Sequence, residues 1–210
     1  MSVRPRRAEH VADTRDSLLQ AARELFADRG YAAVGTAEIV TRARVTRGAL
    51  YHHFRDKADL FRGVMWTVAG ELAQRLIEEQ TARSGESTAD MWDQLRTGVQ
   101  AYLDACEGSD FQRIVLVEGP AVLGPAAWDA LVEEHGLGIL LDWLRQAVDE
   151  GEIDALPVDP LARLIAAVIA EASLYIARSS DRVSAREEAG RTLDRMLVGL
   201  RPGRSADGSP

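Results

Sequence analysis

The first sixty residues alternate apolar and polar positions with the period of an α-helix. Between Thr14 and Arg29 the apolar side chains recur three and four positions apart, and these residues are Leu18, Ala21, Ala22, Leu25 and Phe26. Gly30 follows them as a left-handed stop. The pattern therefore predicts one amphipathic helix over 14–29.

Two short helices are predicted directly after this one. Thr36 is placed to cap the second helix, whose buried side would carry Ile39, Val40 and Ala43. Thr46 is placed to cap the third, because Val45 and Leu50 flank it at the spacing of a hydrophobic staple. About three residues separate these two helices, a spacing typical of a helix-turn-helix.

The third helix, predicted over 47–53, has one apolar side and one polar side. Leu50 and Phe54 lie four positions apart and mark the inward side. At about 100° per residue, the opposite side faces solvent and carries Arg47, Gly48, Tyr51 and His52. A fourth helix is predicted from near Asp56 to beyond Leu76, with a single apolar stripe.

The rest of the chain is predicted to form helices separated by short polar breaks. These breaks lie at 84–88, 107–110, 119–120, 124–125 and 150–160. They indicate five more helices, and so an all-α chain of about nine helices. Segment 111–119 suits a strand equally well, but a lone strand would have no partner, so we favour a helix there.

The two helices nearest the C-terminus carry more apolar surface than a small domain can cover. Segment 161–177 is apolar on nearly all sides, and the next helix has a stripe formed by Ala189, Leu193, Met196, Leu197 and Leu200. A homodimer would bury both helices against their symmetry mates, whereas one well-filled monomeric core is the alternative. We expect the dimer interface to include Val168, Glu171, Leu193 and Leu197.

Composition narrows the class of protein. An apolar share of 46% over 210 residues is typical of a globular protein. The first residues contain no apolar signal region, and no uncharged apolar stretch reaches the roughly 18 residues of a membrane span, so we expect a soluble cytoplasmic protein. The single cysteine, Cys106, has no neighbour in the sequence that would activate it, and we interpret it as a buried hydrophobic residue rather than a redox sensor.

Charge is distributed unevenly along the chain. The net charge of −8 argues against nucleic acid as a partner. Residues 1–65, however, hold twelve basic and eight acidic side chains, while residues 66–210 hold thirteen basic and twenty-five acidic ones. A basic head on an acidic body is typical of a chain that contacts phosphate at one end only.

The run LFADRGYAAVGTAEIVTRARVTRGALYHHFRDKADL, and above all its part GALYHHFRDKADL, resembles the DNA-binding domain of the TetR family of bacterial transcription regulators. Beyond residue 65 the resemblance rests on the number of helices and on a Gly-Pro-Ala-Val-Leu-Gly stretch. It implies an all-α homodimer in which helices four to seven frame a ligand pocket and the last two helices form the dimer.

One position departs from the family pattern. Many members have Ala-Gly-Val-Ser in the turn, where this chain has Ala43-Arg44-Val45-Thr46. A non-glycine residue in the left-handed conformation costs roughly 1 kcal/mol. Arg44 could offset that cost through a phosphate contact, or the turn could differ here, and the sequence leaves both alternatives open.

Three kinds of site compete for the cluster around His52 and His53. Adjacent helical residues diverge by about 100°, so the two imidazoles converge poorly on one metal ion. No serine or cysteine nucleophile stands with a placed base, and Asp56 and Asp59 fit the start of the fourth helix, where its dipole favours carboxylates. We therefore predict a nucleic-acid interface with no metal, no cofactor and no catalysis.

Arg47 is the candidate reader of bases. Its guanidinium can offer paired donors to guanine, Gly48 lets the backbone approach closely, and His52 projects from the same face. The resemblance implies phosphate contacts for a further set, namely Thr36, Thr46, Tyr51, His53 and Lys57, the only lysine. Arg44, which departs from the family pattern, is a further candidate for DNA binding. The N-terminal Arg4, Arg6 and Arg7 form either a minor-groove arm or a disordered tail.

Candidate effector contacts are predicted in the body of the chain. They are Trp66, Trp92, Tyr102, Phe111, Glu118, Trp128, Trp143 and Tyr175, with Arg113 as a further polar candidate, and core packing is the alternative for the aromatic residues. Glu171 lies in an apolar stripe and needs a partner. We favour an arginine across the dimer, such as Arg163 or Arg178, over a cationic ligand.

These observations together predict a DNA-binding transcriptional regulator. We expect a homodimeric repressor that a hydrophobic or aromatic effector releases from a palindromic operator. The alternatives are an activator of the same fold, a regulator that responds to a protein and, least favoured, an enzyme that uses the C-terminal cavity. The predicted domains are a flexible arm (1–13), a helix-turn-helix domain (14–60), a ligand-binding and dimerisation domain (61–202) and a disordered tail (203–210).

Overall fold

The structure, a computed structural model, describes residues 5–84, 90–106, 108 and 110–201, and the side chains of all of these except 5–11, 80, 83 and 84. Several predictions lie outside the described residues. These are the role of Arg4, the tail at 203–210 and the polar break at 85–88. The side chains of Arg6 and Arg7 also lie outside them.

The described residues form helices and no strand, as predicted. The helices are α1 (Pro5–Arg29), α2 (Thr36–Arg42), α3 (Arg47–His53), α4 (Lys57–Ser84), α5 (Met91–Ala105), α6 (Gly119–Leu123), α7 (Pro125–Val132), α8 (Gly138–Asp149), α9 (Val158–Arg178) and α10 (Arg182–Val198). Two segments, Phe111–Glu118 before α6 and Glu133–Leu137 before α8, are wound as π-helices. The prediction of helix rather than strand at 111–119 is therefore confirmed.

Helix α1 ends as predicted but begins earlier. Gly30 has φ +82° and its amide donates to the carbonyl oxygen of Phe26 at 2.8 Å, so the left-handed stop is confirmed. The helix begins at Pro5 rather than Thr14. Proline fits the first helical position, and the mostly polar residues that follow it carry no apolar period that would reveal a helix.

The caps of the next helices were predicted with mixed success. Gly35, not Thr36, is the N-cap of α2, and no side chain caps this helix, so that prediction was wrong. Thr46 caps α3 as predicted, because its hydroxyl accepts from the amide of Ala49 at 3.1 Å. Asp56 precedes α4, and its carboxylate accepts from the amide of Asp59 at 2.8 Å.

The chain divides into two compact units. The first comprises Met1–Glu71 and Glu107–Leu131, and the second comprises Leu72–Cys106 and Val132–Pro210. In the first unit α1, α2, α3 and the start of α4 share a core whose fully buried side chains include Leu18, Phe26, Ile39, Leu50, Leu60 and Phe61. This unit takes up residues well outside 14–60, and the predicted functional domain boundaries stay predictions.

The core of the second unit brings α5, α8, α9 and α10 together. Its members include Trp92, Leu95, Leu144, Ala162, Ile165, Leu193 and Leu197. Leu193 and Leu197 retain only 3% and 4% of their surface, so their assignment to a dimer contact was wrong. The stripe of α10 was recognised, but periodicity alone does not say whether a stripe faces its own protomer or a second one.

Helix α9 leaves apolar surface uncovered within the protomer. Leu164 is 66% exposed and Tyr175 is 49% exposed, and Glu171 lies on the same exposed side. Among the described residues, α9 is the one helix long and apolar enough to cross a membrane, a property that core helices of soluble proteins share. Only 28% of its apolar window is buried, which leaves one face free for another surface.

Candidate nucleic-acid interface

Helix α3 is anchored to the first unit through one side. Leu50 is fully buried and Phe54 nearly so, and the guanidinium carbon of Arg15 lies 5.5 Å from the centroid of the Phe54 ring. On the opposite side Arg47, Gly48, Tyr51 and His52 are all exposed, as the spacing predicts. The anchored side fixes the helix, and the polar side stays available to a partner.

Arg47 and Tyr51 are held together on that outer side. The guanidinium carbon of Arg47 lies 5.6 Å from the centroid of the Tyr51 ring. Hydrogen bonds to Arg47, and secondly to Thr36, lower the pKa of the Tyr51 hydroxyl below its usual value. Thr36 of α2 and Arg47 of α3 therefore both lie near the Tyr51 side chain.

The turn between α2 and α3 adopts the strained conformation that glycine usually provides. Arg44 has φ +56°, and it is the one described non-glycine residue with a positive φ. Its amide donates to the carbonyl oxygen of Thr41 at 3.2 Å, and the amide of Val45 donates to that of Val40 at 3.0 Å. The turn is thus tight and left-handed despite the arginine, whose side chain is exposed.

Gly48 is not required by packing inside the protomer. A Cβ built at this position would meet one atom within 4 Å, the hydroxyl oxygen of Thr46 at 3.8 Å, which is an ordinary contact. Alanine would also favour the helix by roughly 1 kcal/mol. A glycine at this exposed position is therefore explained better by the approach of an external partner than by the fold.

Two half-buried basic groups flank this surface. The amino nitrogen of Lys57 lies 4.1 Å from the centroid of the Tyr31 ring; burial lowers the pKa of Lys57, and the charge of Glu118 opposes that shift. Burial, together with the neighbouring His52 and Arg15, lowers the pKa of His53 and favours its neutral imidazole. The contact of Tyr31 with Lys57 was not predicted from the sequence. The one signal for it was the position of Tyr31 directly after Gly30.

The predicted effector contacts fall into both units. Trp66, Phe111, Glu118 and Trp128 belong to the first unit, whereas Trp92, Tyr102, Trp143 and Tyr175 belong to the second. For Trp66, Trp128 and Trp143, which are all half-buried, a role in a pocket stays a prediction.

Several of these residues have other roles within their own unit. Trp92 is fully buried and Phe111 nearly so, as core residues are. Tyr175 points outward and donates from its hydroxyl to Glu188 at 3.1 Å, while Glu118 accepts from the amide of Tyr31 at 2.7 Å. Tyr102 is half-buried and lies beside Cys106 and Ser173, and desolvation raises the pKa of its hydroxyl well above the usual value.

Two family models match the chain over most of its length. Residues 18–64 match the bacterial regulatory proteins of the tetR family, and residues 92–200 match the tetracyclin repressor-like C-terminal domain. The chain belongs to the TetR family. Members of this family are DNA-binding transcriptional regulators, so this chain is a transcriptional regulator, and α2 and α3 lie within the part that matches the family's N-terminal model.

Individual relatives agree with this assignment. A TetR-family transcriptional regulator from Pectobacterium atrosepticum is 33% identical, with a TM-score of 0.79 over 92% of this chain and 96% of its own. The Tn10 TetC protein of Escherichia coli is 27% identical over 75% of this chain and 77% of its own length. FadR of Bacillus subtilis, solved with stearoyl-CoA, is 18% identical with a TM-score of 0.68 over 89% and 98% of the two chains, which shows a shared fold.

Proposed function

We propose that this TetR-family protein is a homodimeric repressor that a small-molecule effector releases from a palindromic operator in the cytoplasm. One observation carries the DNA-binding part of the proposal. The exposed side of α3 and of the preceding turn presents Arg44 and Arg47, and no acidic side chain in the described part of the chain pairs with either. Cations held on a rigid helix without internal partners favour an anionic partner such as DNA.

The side chains of this surface divide between base reading and phosphate contact. Arg47, in the first turn of α3 and held by Tyr51, is placed to donate to a guanine edge in the major groove. Gly48 leaves room for that approach, and His52 lies on the same exposed side. Phosphate contacts are proposed for a second group, which consists of Thr36, Arg44, Thr46, Tyr51, His53 and Lys57.

The homodimer is proposed to form through the uncovered face of α9. Leu164, Glu171 and Tyr175 recur along that face, and Met196 of α10 is a further exposed apolar residue. Val168 is half-buried and packs in part against the core of its own unit, so it is proposed only at the edge of the interface. A second copy of the same helix would cover this face by two-fold symmetry. Arg178 of the other copy is the proposed partner of Glu171, because Arg163 is already 3.2 Å from Glu133 within its own protomer.

The effector is proposed to act through α4. Residues 57–71 of this helix belong to the first unit and residues 72–84 to the second, so one helix links the DNA-binding element to the rest of the chain. An effector can release DNA only by binding one arrangement more tightly than the other. Trp66 lies in α4, and its fluorescence should respond to a true effector. The stearoyl-CoA of FadR belongs to a protein similar in fold alone, so only the hydrophobic class of effector is proposed here.

The test is selection of DNA from a random duplex library with the purified protein. We expect an enriched palindrome with half-sites roughly one helical turn apart or somewhat more, and light scattering should show a dimer. A transcription assay with the selected sequence upstream of a reporter then separates repression from activation. A protein that enriches no sequence at moderate salt, or that stays monomeric at micromolar concentration, would contradict the proposal.

A further inference from the structure

One segment matches the family's C-terminal domain yet packs with the DNA-binding element. Residues 107–131 fall inside the match at 92–200, but they belong to the first compact unit together with α1, α2 and α3. The chain enters this segment from α5 and leaves it toward α8, both of which belong to the second unit. The segment is therefore covalently continuous with the second unit and packed within the first.

Three polar contacts hold this segment against α1 and the turn that follows it. Asp110 accepts two hydrogen bonds from the guanidinium of Arg23, at 2.8 and 2.5 Å. Arg113 donates to the carbonyl oxygens of Ala27 and Asp28, at 2.8 and 2.5 Å, near the end of α1. Glu118 accepts from the backbone amide of Tyr31 at 2.7 Å. We call residues 110–118 the clasp.

The π-helical winding explains how two of these side chains reach the same place. In an α-helix, residues five positions apart point about 140° away from each other. In a π-helix the hydrogen bonds join residues five positions apart, so those residues lie close to one face. Arg113 and Glu118 are five apart in Phe111–Glu118, and both reach α1 or the turn that follows it.

Gly30 suits this turn through its conformation and through its closeness to Glu118. Its φ of +82° is a conformation that side chains with a Cβ rarely adopt. A Cβ at residue 30 would also lie too close to a carboxylate oxygen at the flexible end of the Glu118 side chain, which would have to move. The present contact of Glu118 with the turn therefore depends on the absence of a side chain at residue 30.

The turn leads directly to Lys57. Tyr31, whose amide Glu118 holds, places its ring against Phe26 and Phe61 and 4.1 Å beneath the amino group of Lys57. Cation–π contact of this kind favours one orientation of an otherwise flexible side chain. The contacts thus run from the clasp to Tyr31 and from Tyr31 to Lys57.

We propose that Glu118 is a positioning residue for DNA binding, which holds the Gly30–Tyr31 turn so that the Tyr31 ring presents Lys57 to a DNA phosphate. This inference rests on the proposed phosphate contact of Lys57. In this arrangement Glu118 acts through Tyr31 and makes no contact with DNA itself.

The experiment is a double-mutant cycle between residues 118 and 57. The affinity of the full chain for a duplex selected by the wild-type protein is measured at several salt concentrations, for Glu118→Ala, Lys57→Ala and the double variant. Each single variant should lose about fivefold to tenfold at 0.1 M salt and lower the magnitude of the salt slope by about one. The double variant should lose no more than either single one, because both changes disable the same contact.

Two further variants separate positioning from a general loss of stability. Glu118→Gln keeps an oxygen that can accept from the Tyr31 amide, and it should retain most of the affinity. Asp129→Asn removes an exposed carboxylate of α7 in the same unit and should change neither affinity nor salt slope. If Glu118→Ala does not fold, Glu118→Asp replaces it, since the shorter side chain keeps the charge but loses reach and should show the same reduced slope.

The outcomes that would overturn the inference are distinct from failure of the proposed function. Additive losses in the double variant, or a lower melting temperature with unchanged affinity and salt slope, would show that Glu118 only stabilises the fold. If Lys57→Ala leaves the salt slope unchanged, Lys57 contacts no phosphate and the inference fails with that contact. A wild-type protein that selects no DNA would instead contradict the proposed function as a whole.

Discussion

The arginines of the second unit and those at the start of α3 have different surroundings. Several arginines of the second unit are paired with carboxylates, as in Arg96–Asp194 at 2.6 Å, Arg186–Asp104 at 2.6 Å and Arg201–Asp90 at 2.7 Å. In the first unit Arg29 and Arg42 of α1 and α2 are also paired, with Glu38 and Glu24. Arg44 and Arg47 have no acidic partner among the described residues, and they lie together at the turn and the start of α3.

For DNA binding, the position of unpaired cations therefore matters more than their number. The chain carries a net charge of −8, and charge alone would argue against DNA. Ion pairs neutralise neighbouring arginines such as Arg29 and Arg42, while Arg44 and Arg47 remain a local source of positive potential. Exposed ion pairs contribute little to stability, so the paired arginines shape the field more than they hold the fold together.

The largest expected effect separates the two kinds of apolar residue on α10. Leu193→Ala should destabilise the protomer by about 2 to 5 kcal/mol, because it leaves a cavity in the core of the second unit. Met196→Ala should leave the unfolding free energy of the protomer nearly unchanged, since Met196 is 54% exposed. Chemical denaturation at low protein concentration measures both. Equal losses for the two variants would contradict this assignment of the stripe.

The uncovered face of α9 offers a test of the dimer. Leu164→Glu places a charge on the uncovered face of α9 and should give a folded monomer with weak operator affinity. Light scattering and circular dichroism distinguish this result from unfolding. A Leu164→Glu protein that remains a dimer would place the interface on another surface.

The next effect sharpens the comparison of the arginines. Arg47→Ala should reduce operator affinity by about 1 to 3 kcal/mol and relax the preference at one base pair, with little change in stability. Arg186→Ala should do the opposite. Its guanidinium is largely buried and donates to Gln100 and Asp104, so its loss should cost about 1 to 3 kcal/mol of stability and leave base preference intact.

A series of single-base substitutions in the operator, together with thermal melts of both variants, checks this pair of predictions. A changed base preference in Arg186→Ala, with none in Arg47→Ala, would mean that the docking of α3 proposed here is wrong.

A substitution at Gly48 is expected to have a smaller effect, which is opposite in sign for stability and for operator affinity. Gly48→Ala should stabilise the protein by roughly 0.5 to 1 kcal/mol, because alanine favours the helix and the added Cβ meets no close neighbour. The same methyl group should weaken operator binding, since it lies on the exposed side proposed to face the groove. Loss of stability without loss of affinity would show that this glycine serves the fold.

The smallest expected effect concerns Cys106 in the second unit. Burial raises the pKa of its thiol to about 12, although hydrogen bonds with Ser173 and Tyr102 oppose the shift. A thiol-specific reagent at pH 8 should therefore label the folded protein very slowly and the denatured protein rapidly. The folded state holds this proton more tightly than the unfolded chain, so its contribution to stability should be lost as pH rises from about 9 toward 12. Rapid labelling of the native protein would contradict the burial of this thiol.

Much of the fold and of the DNA-binding surface could be predicted because the relevant signals are local. The apolar spacing in α1, the cap at Thr46 and the pair Leu50 and Phe54 each involve residues within about four positions, and each was confirmed. The cap at Thr36 was wrong although it relies on the same kind of signal. Several residues near a helix start can serve as its cap, and here the backbone begins the helix one residue earlier in the sequence than expected.

The effector contacts could not be predicted in the same way. Aromatic residues such as Trp92 serve cores and pockets alike, and composition does not separate the two uses. Glu118 was predicted as an effector contact, yet the partner that it has in the structure, the amide of Tyr31, lies eighty-seven residues earlier in the chain. No local pattern connects residue 118 to the turn at Gly30 and Tyr31.

Helices α2 and α3, and the side of α3 that stays polar, could be predicted from the sequence alone, because helix period and capping act over a few residues. The sequence left open whether Arg44 adopts the left-handed conformation, and the structure shows that it does. Only the tertiary structure decided that Leu193 and Leu197 face inward and that α9 keeps an uncovered face. The contact of the clasp with α1 likewise became evident only from the tertiary structure. An apolar stripe predicts that one face of a helix is covered. Which surface covers it depends on packing between distant parts of the chain.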